Sequence, residues 1–197
     1  MKILITKIII SAILISSILN VNAQEQYRDL VITQKGDSIR CNINLFPAIG
    51  AIKYKSAAMI SSEKIEPTKI KEYFTSNFKV NVRAVYIDSS KKPVYMMFVE
   101  KGKINLFQRA DGCSICSGGT ETTVSTDNWY IAKGSDHVTA FKSTGIMFDK
   151  EKRKKIFAQM LKDNPAVYNK YLAEDKFGFN DLRNFVHLYN TGEALKD

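Results

Sequence analysis

The sequence predicts an α+β fold: a mainly antiparallel β-sheet or roll of about eight strands, with two or three C-terminal helices packed on it. Period-two alternation of apolar residues dominates the first two thirds of the chain that follows residue 23, and the period lengthens to helical spacing after Gly145. Short connections between the alternating runs make the pairing mostly antiparallel.

The strands come first. "RDLVITQ" (28–34) and "SIRCNINLF" (38–46) flank Lys35-Gly36-Asp37, a tight hairpin turn. Ile39, Cys41, Ile43 and Leu45 alternate with Arg40, Asn42 and Asn44, so Cys41 is expected in the core as a small hydrophobe. "AIKYKS" (51–56) follows, then polar punctuation in "SSEKIEPT", then "KIKEYFTS" (69–76). "FKVNVRAVYI" (78–87) places Phe78, Val80, Val82 and Ala84 on one face. "VYMMFVE" (94–100), "KINLFQRA" (103–110), "DNWYIAKG" and "DHVTAFKS" complete the set.

Three helices are expected next. Asp149 caps one carrying Ile156, Phe157, Met160 and Leu161. Asn164-Pro165 reads as the cap and first position of a second, bearing Val167, Tyr168, Tyr171 and Leu172. Asn180 is the expected cap of a third, with Leu182, Phe185, Val186 and Tyr189 on its stripe and Gly192 as its stop. These stripes are too apolar to stand in water, which is why they should pack on the sheet.

The first residues address the chain. Lys2 and Lys7, an apolar run from Ile8 to Leu19, and Val21-Asn22-Ala23 form a secretory signal. The apolar run is short for a membrane span, although an uncleaved anchor is the alternative. The expected organisation is a signal peptide over 1–23, a β-rich domain over 24–145 and a helical cap over 146–197 within the same domain. Cleavage removes two of 29 basic residues and none of 20 acidic ones, leaving 27 minus 20, or +7. That charge could favour polyanions. The lysines are dispersed, however, and the dense cluster "DKEKRKK" with Lys152, Arg153, Lys154 and Lys155 reads first as a solvated helix face.

The hairpin "QKGDSIRCNINL" resembles the "GDTIxGxI" opening of a broad group of exported proteins from Bacteroidota-type bacteria. "KGKINLF" is similar to that group's "GKxxL" strand, and Tyr189-Asn190 to its helical tail end. Residue 41 is cysteine where the group has glycine. The resemblance implies export and a β-rich middle with a short helical tail. It implies no activity.

Chemistry is sparse. Cys113 and Cys116 in "DGCSICSGGTE" (111–121) lie between a strand and poor helix material. A redox centre would place CxxC at a helix N-terminus within a β-α-β setting. Zinc would need four ligands, here Cys41 with His137 or His187 from distant elements. In an oxidising compartment a local Cys113–Cys116 bridge stiffening a loop tip is the favoured reading, with two reduced thiols or a bridge to Cys41 as alternatives. Ser135, Asp136 and His137 in "GSDH" read as a turn before a strand, because triad members converge from separate segments. Glu63 and Glu66 share loops with lysines and do not by spacing make a glycosidase dyad.

Phe107, Trp129 and Tyr130 flank the long 111–126 loop and are candidate binding residues, against the plainer reading of strand residues. No catalytic residue, metal or cofactor is expected. The resulting expectation is an exported, periplasmic or secreted non-catalytic protein. It would bind or support an unknown envelope or extracellular partner, with no specific nucleic acid and no membrane span after cleavage. A thiol-disulfide oxidoreductase or other secreted enzyme, and a polyanion binder, are the alternatives.

Overall fold

The computed structural model describes residues 27–45, 51–87, 90–109, 128–142 and 149–196. Ten strands and three helices lie within them, an α+β architecture. The chain divides after Lys79 into two compact units.

The first unit holds β1 (Asp29–Thr33), β2 (Ser38–Asn44), β3 (Lys53–Lys55), β4 (Glu63–Lys64) and β5 (Ile70–Thr75), side by side in the order β5-β1-β2-β3-β4. Neighbouring strands pair antiparallel. The β1–β2 hairpin closes as expected. Gly36 donates to the Thr33 carbonyl at 3.0 Å and sits at φ +96°, a conformation that glycine adopts without a Cβ penalty. Register sets Asp29 opposite Cys41 and Val31 opposite Ile39, so Asp29, Val31 and Cys41 share the buried face. Strand β4 is a departure from expectation. Its two residues, in a stretch read as punctuation, pair as Lys53 with Lys64 and Tyr54 with Glu63.

The second unit holds β6 (Val80–Ile87), β7 (Val94–Glu100), β8 (Ile104–Gln108), β9 (Trp129–Lys133) and β10 (His137–Lys142). They run as an antiparallel meander and then close on themselves. His137 pairs with Tyr86 and Val138 with Ile87 in parallel, joining β10 to β6. Irregular register between Phe98 and Glu100 and between Ala140 and Lys142 supplies the added twist that a small barrel needs. The barrel interior is filled by Val85, Met96, Phe107, Tyr130, Ala132, Val138 and Ala140.

Alternate residues of β8 and β9, with Phe141 of β10, point outward and are covered by the helices. Ile104, Leu106, Trp129, Ile131 and Phe141 pack with Phe157, Leu161, Val167, Tyr171, Leu182, Phe185 and Val186. Each large apolar side chain so buried contributes about 1.5–3 kcal/mol. Edge-to-face rings run through this layer: Phe141 on Phe157, Phe157 on Tyr171, Tyr171 on Phe185.

Asp149 caps α1 (Lys150–Leu161) by accepting from the Lys152 amide, and Asn164 caps α2 (Pro165–Glu174) by accepting from Val167. The third helix corrects the sequence reading. α3 (Phe179–Thr191) is capped at Gly178, not at Asn180, because Asp181 reaches back to accept from the Gly178 amide at 2.9 Å. Gly192 ends it at φ +80°. Phe78 is a second correction. It lies in the turn after β5, 54% exposed, and not on the inward face with Val82 and Ala84.

Candidate functional site

The first unit carries a polar cleft of about 280 Å³ at the end of β1, β2 and β5. Asp29 is its charged group, and it is 8% exposed. One carboxylate oxygen accepts from the Ile43 amide at 2.7 Å. The other accepts from the Ser76 amide at 2.8 Å and the Ser76 hydroxyl at 2.9 Å. A buried carboxylate is tolerated when such donors replace its water. Beside it, Thr75 is 3% exposed and its Oγ1 has no hydrogen-bond partner. Asn44, Asn77 and Phe78 complete the polar and aromatic lining. The arrangement is concave, part apolar, and offers convergent polar groups, the general character of a small-molecule site.

Cys41 stands opposite Asp29 on the same sheet. Burial, reinforced by the Asp29 carboxylate, pushes its thiol up to about 12. It is therefore protonated at any physiological pH and is neither a nucleophile nor a ready metal ligand.

The second unit carries a shallower groove lined by Lys133, Ser135, His137, Thr139, Gln159 and Met160. Its cation is already engaged: Lys133 donates to the Asp163 carboxylate at 2.6 Å and to the Met160 carbonyl at 2.7 Å. Tyr189 donates to the same carboxylate at 2.8 Å. Lys133 and Tyr189 together hold the Asp163 carboxyl below its ordinary range. Elsewhere Glu100 of β7 accepts from Arg183 Nε at 2.8 Å and bonds His187 Nδ1 at 3.1 Å, fastening α3 to the barrel.

The sequence candidates distribute unevenly over this framework. Phe107, Trp129 and Tyr130 are 1%, 5% and 3% exposed, so they build the core and present no aromatic platform to solvent. Strand alternation explains it: Phe107 and Tyr130 are register partners facing the barrel interior, while Trp129 faces the helices. Cys113 and Cys116 lie outside the described residues, as does the whole of the 111–126 loop. In the basic cluster Lys154 is held by Asp175 at 2.5 Å and by Glu151 at 3.5 Å, leaving Lys152 and Lys155 as its exposed cations.

"GSDH" is a turn, as expected. The Ser135 hydroxyl donates to the His137 carbonyl and accepts from its amide, Asp136 pairs with Arg83, and the His137 ring stacks on Tyr86 at 5.1 Å. Glu63 accepts from the Tyr54 hydroxyl, and Glu66 pairs with Lys69 and Lys64, so each has its own structural partner. Among the described residues no three His, Cys, Asp or Glu side chains gather as metal ligands, and no helix is long and apolar enough to cross a membrane.

Sequence reasoning missed the Asp29 cleft. Its signal was present: in "RDLVITQ" Asp29 has the parity of inward-facing Val31, and a charge on an inward position asks for dedicated donors. Comparisons with protein-family models, curated proteins and solved structures found no match for the chain.

Proposed function

We propose that the chain is an exported, non-catalytic binding protein of the bacterial cell envelope, and that the Asp29 cleft is where it takes its ligand. The observation that carries the binding reading is the concave cleft itself, in which the Ile43 and Ser76 donors hold the Asp29 carboxylate beside Asn77. Export is supported by the basic, apolar, small-residue order of residues 1–23. In the non-catalytic reading the Asp29 carboxylate is a fixed structural acceptor, taking the Ile43 amide and the Ser76 amide and hydroxyl.

The reading is tested by fractionating native cells and sequencing the mature N-terminus. Gln24 as first residue in an envelope or culture fraction is the expected result, with Cys113 and Cys116 joined by mass spectrometry. Intact Met1 on cytosolic material would remove the export half of the proposal. The binding half stands or falls separately, on ligand-dependent signals from the cleft residues.

A further inference from the structure

We propose that the β2–β3–β4 part of the first unit is a membrane-docking surface, on which cationic strands hold an apolar turn against an anionic lipid bilayer. The proposal goes beyond the cleft and uses none of its residues. It rests on the export reading for the membrane that the chain would meet.

Strand alternation sorts the charges. Register sets Asn42 opposite Lys55 and Lys53 opposite Lys64, so these side chains share one face of the sheet with Arg40, two residues before Asn42. Tyr54 and Glu63, which pair with each other, lie on the other face. On the first face β2, β3 and β4 therefore carry four exposed cations, Arg40, Lys53, Lys55 and Lys64, and no carboxylate. Lys64 reaches Glu66, beyond the strand, at 3.6 Å. Arg40, Lys53 and Lys55 have no ion-pair partner among the described residues. Like charges directly opposite each other, as Lys53 and Lys64 are, destabilise a sheet, and an anionic surface relieves that repulsion. Lysine on an edge strand commonly blocks pairing with another sheet, which accounts for Lys64 on β4. It does not account for the other three, because β2 and β3 each have a partner on both sides.

The apolar element is the turn from β3 to β4. Residues 56–62 read "SAAMISS", without a charged side chain. The Met59 amide donates to the Ser56 carbonyl at 3.2 Å and the Ser56 amide to the Met59 sulfur at 3.4 Å, so the turn folds back on itself. Ile60 is left outside it, 99% exposed. A single exposed aliphatic is ordinary on a protein surface. This one stands at the tip of a charge-free turn with Lys55 before it and Lys64 after it. Interfacial proteins combine buried apolar area with attraction to anionic lipid in this way. The isoleucine is what favours a bilayer over a soluble polyanion, which would meet the cations but has no apolar interior to receive it.

The test is cosedimentation of the chain from Gln24 onward with vesicles of phosphatidylcholine alone, and of phosphatidylcholine mixed equally with phosphatidylglycerol. Binding to the anionic vesicles alone, lost as salt is added, is expected. Each cation near an anionic surface strengthens attachment about fivefold, so Lys53→Gln with Lys55→Gln should weaken binding about 25-fold. Ile60→Ser should weaken it about fivefold at an unchanged melting temperature. Ile60→Trp should keep binding and shift its emission to the blue on the vesicles, because tryptophan favours the membrane interface. Should the lysine pair variant fail to fold, the two Ile60 variants, at a fully exposed position, carry the test. Retention on heparin without vesicle binding would overturn the lipid assignment in favour of a soluble polyanion. Equal binding to both kinds of vesicle, unchanged binding by the variants, or no vesicle binding at all would overturn the docking surface. Export is judged separately by the mature N-terminus, so either reading can fail without the other.

Discussion

The carboxamide of Asn190 makes a two-way pair with the backbone of Ile104. It accepts from the Ile104 amide at 3.0 Å and donates to the Ile104 carbonyl at 2.7 Å. An asparagine at the end of α3 thus mimics a strand partner for the first residue of β8. Gly102 is part of the same contact, because a Cβ built there would fall on the Asn190 carboxamide well inside contact distance. The "KGKINLF" strand and the Tyr189-Asn190 helix end, far apart in the chain, are therefore one physical object.

Gly102→Ala should destabilise the protein by about 1–3 kcal/mol by displacing Asn190. Asn190→Ala should cost about 2 kcal/mol, since two hydrogen bonds go at about 1 kcal/mol each. Because both act on one contact, the double variant should lose less than the sum, which a denaturant-midpoint cycle measures. Additive losses would mean that the glycine and the asparagine act separately.

Phe107, Trp129 and Tyr130 should behave as core. Trp129→Ala is expected to cost about 3–5 kcal/mol and to flatten the near-ultraviolet circular dichroism. Replacement by Ala with unchanged thermal stability would restore these aromatics to the surface.

Stability should fall at alkaline pH. The Cys41 thiol is raised from 9.0 to about 12, and burial raises Tyr73 to about 12 as well. A group whose folded value lies above its unfolded one contributes fully below the unfolded value, and that contribution fades as pH rises through the interval. The melting temperature should therefore begin to drop near pH 9, with tyrosine adding its share above pH 10. Cys41→Ala should blunt the first part of that decline and leave the second.

At acid pH the Asp163 carboxylate gives the opposite sign. Lys133 and Tyr189 hold its folded value below 3.8, so its contribution is present above pH 3.8 and lost as pH falls through the folded value. Asp163→Asn should lower stability at pH 7 while making the melting temperature less steep below pH 4. An acid limb identical to that of the parent protein would show that the trio contributes nothing.

Strand and helix placement was legible because alternation and helical spacing are local signals. The hairpin at Gly36, the caps at Asp149 and Asn164, and the inward turn of Cys41 all follow from a few neighbouring residues. What escaped the sequence depends on partners far along the chain. Asn180 has the side chain of a cap, but Asp181 serves the Gly178 amide and sets the helix start there. The β4 pairing needed Tyr54 opposite Glu63, which no periodicity announces in two residues. The cleft needed Ser76 brought to Asp29 across 47 positions. Aromatics near a loop looked like a platform because sequence proximity says nothing about which side of a strand faces water.

Closure of the barrel rests on a short seam. His137 and Tyr86 are 51 positions apart (137 minus 86), and just two residue pairs join β10 to β6. The Tyr86 amide donates to the Asp136 carbonyl there, with Arg83 gripping the Asp136 carboxylate. Neighbouring strands of the meander form across short chain distances, whereas this join waits for the chain to come round, and loop closure grows costlier with length. The cylinder should therefore zip shut last during refolding and unzip first in the native ensemble, exchanging the Tyr86 amide proton faster than those of β8 and β9.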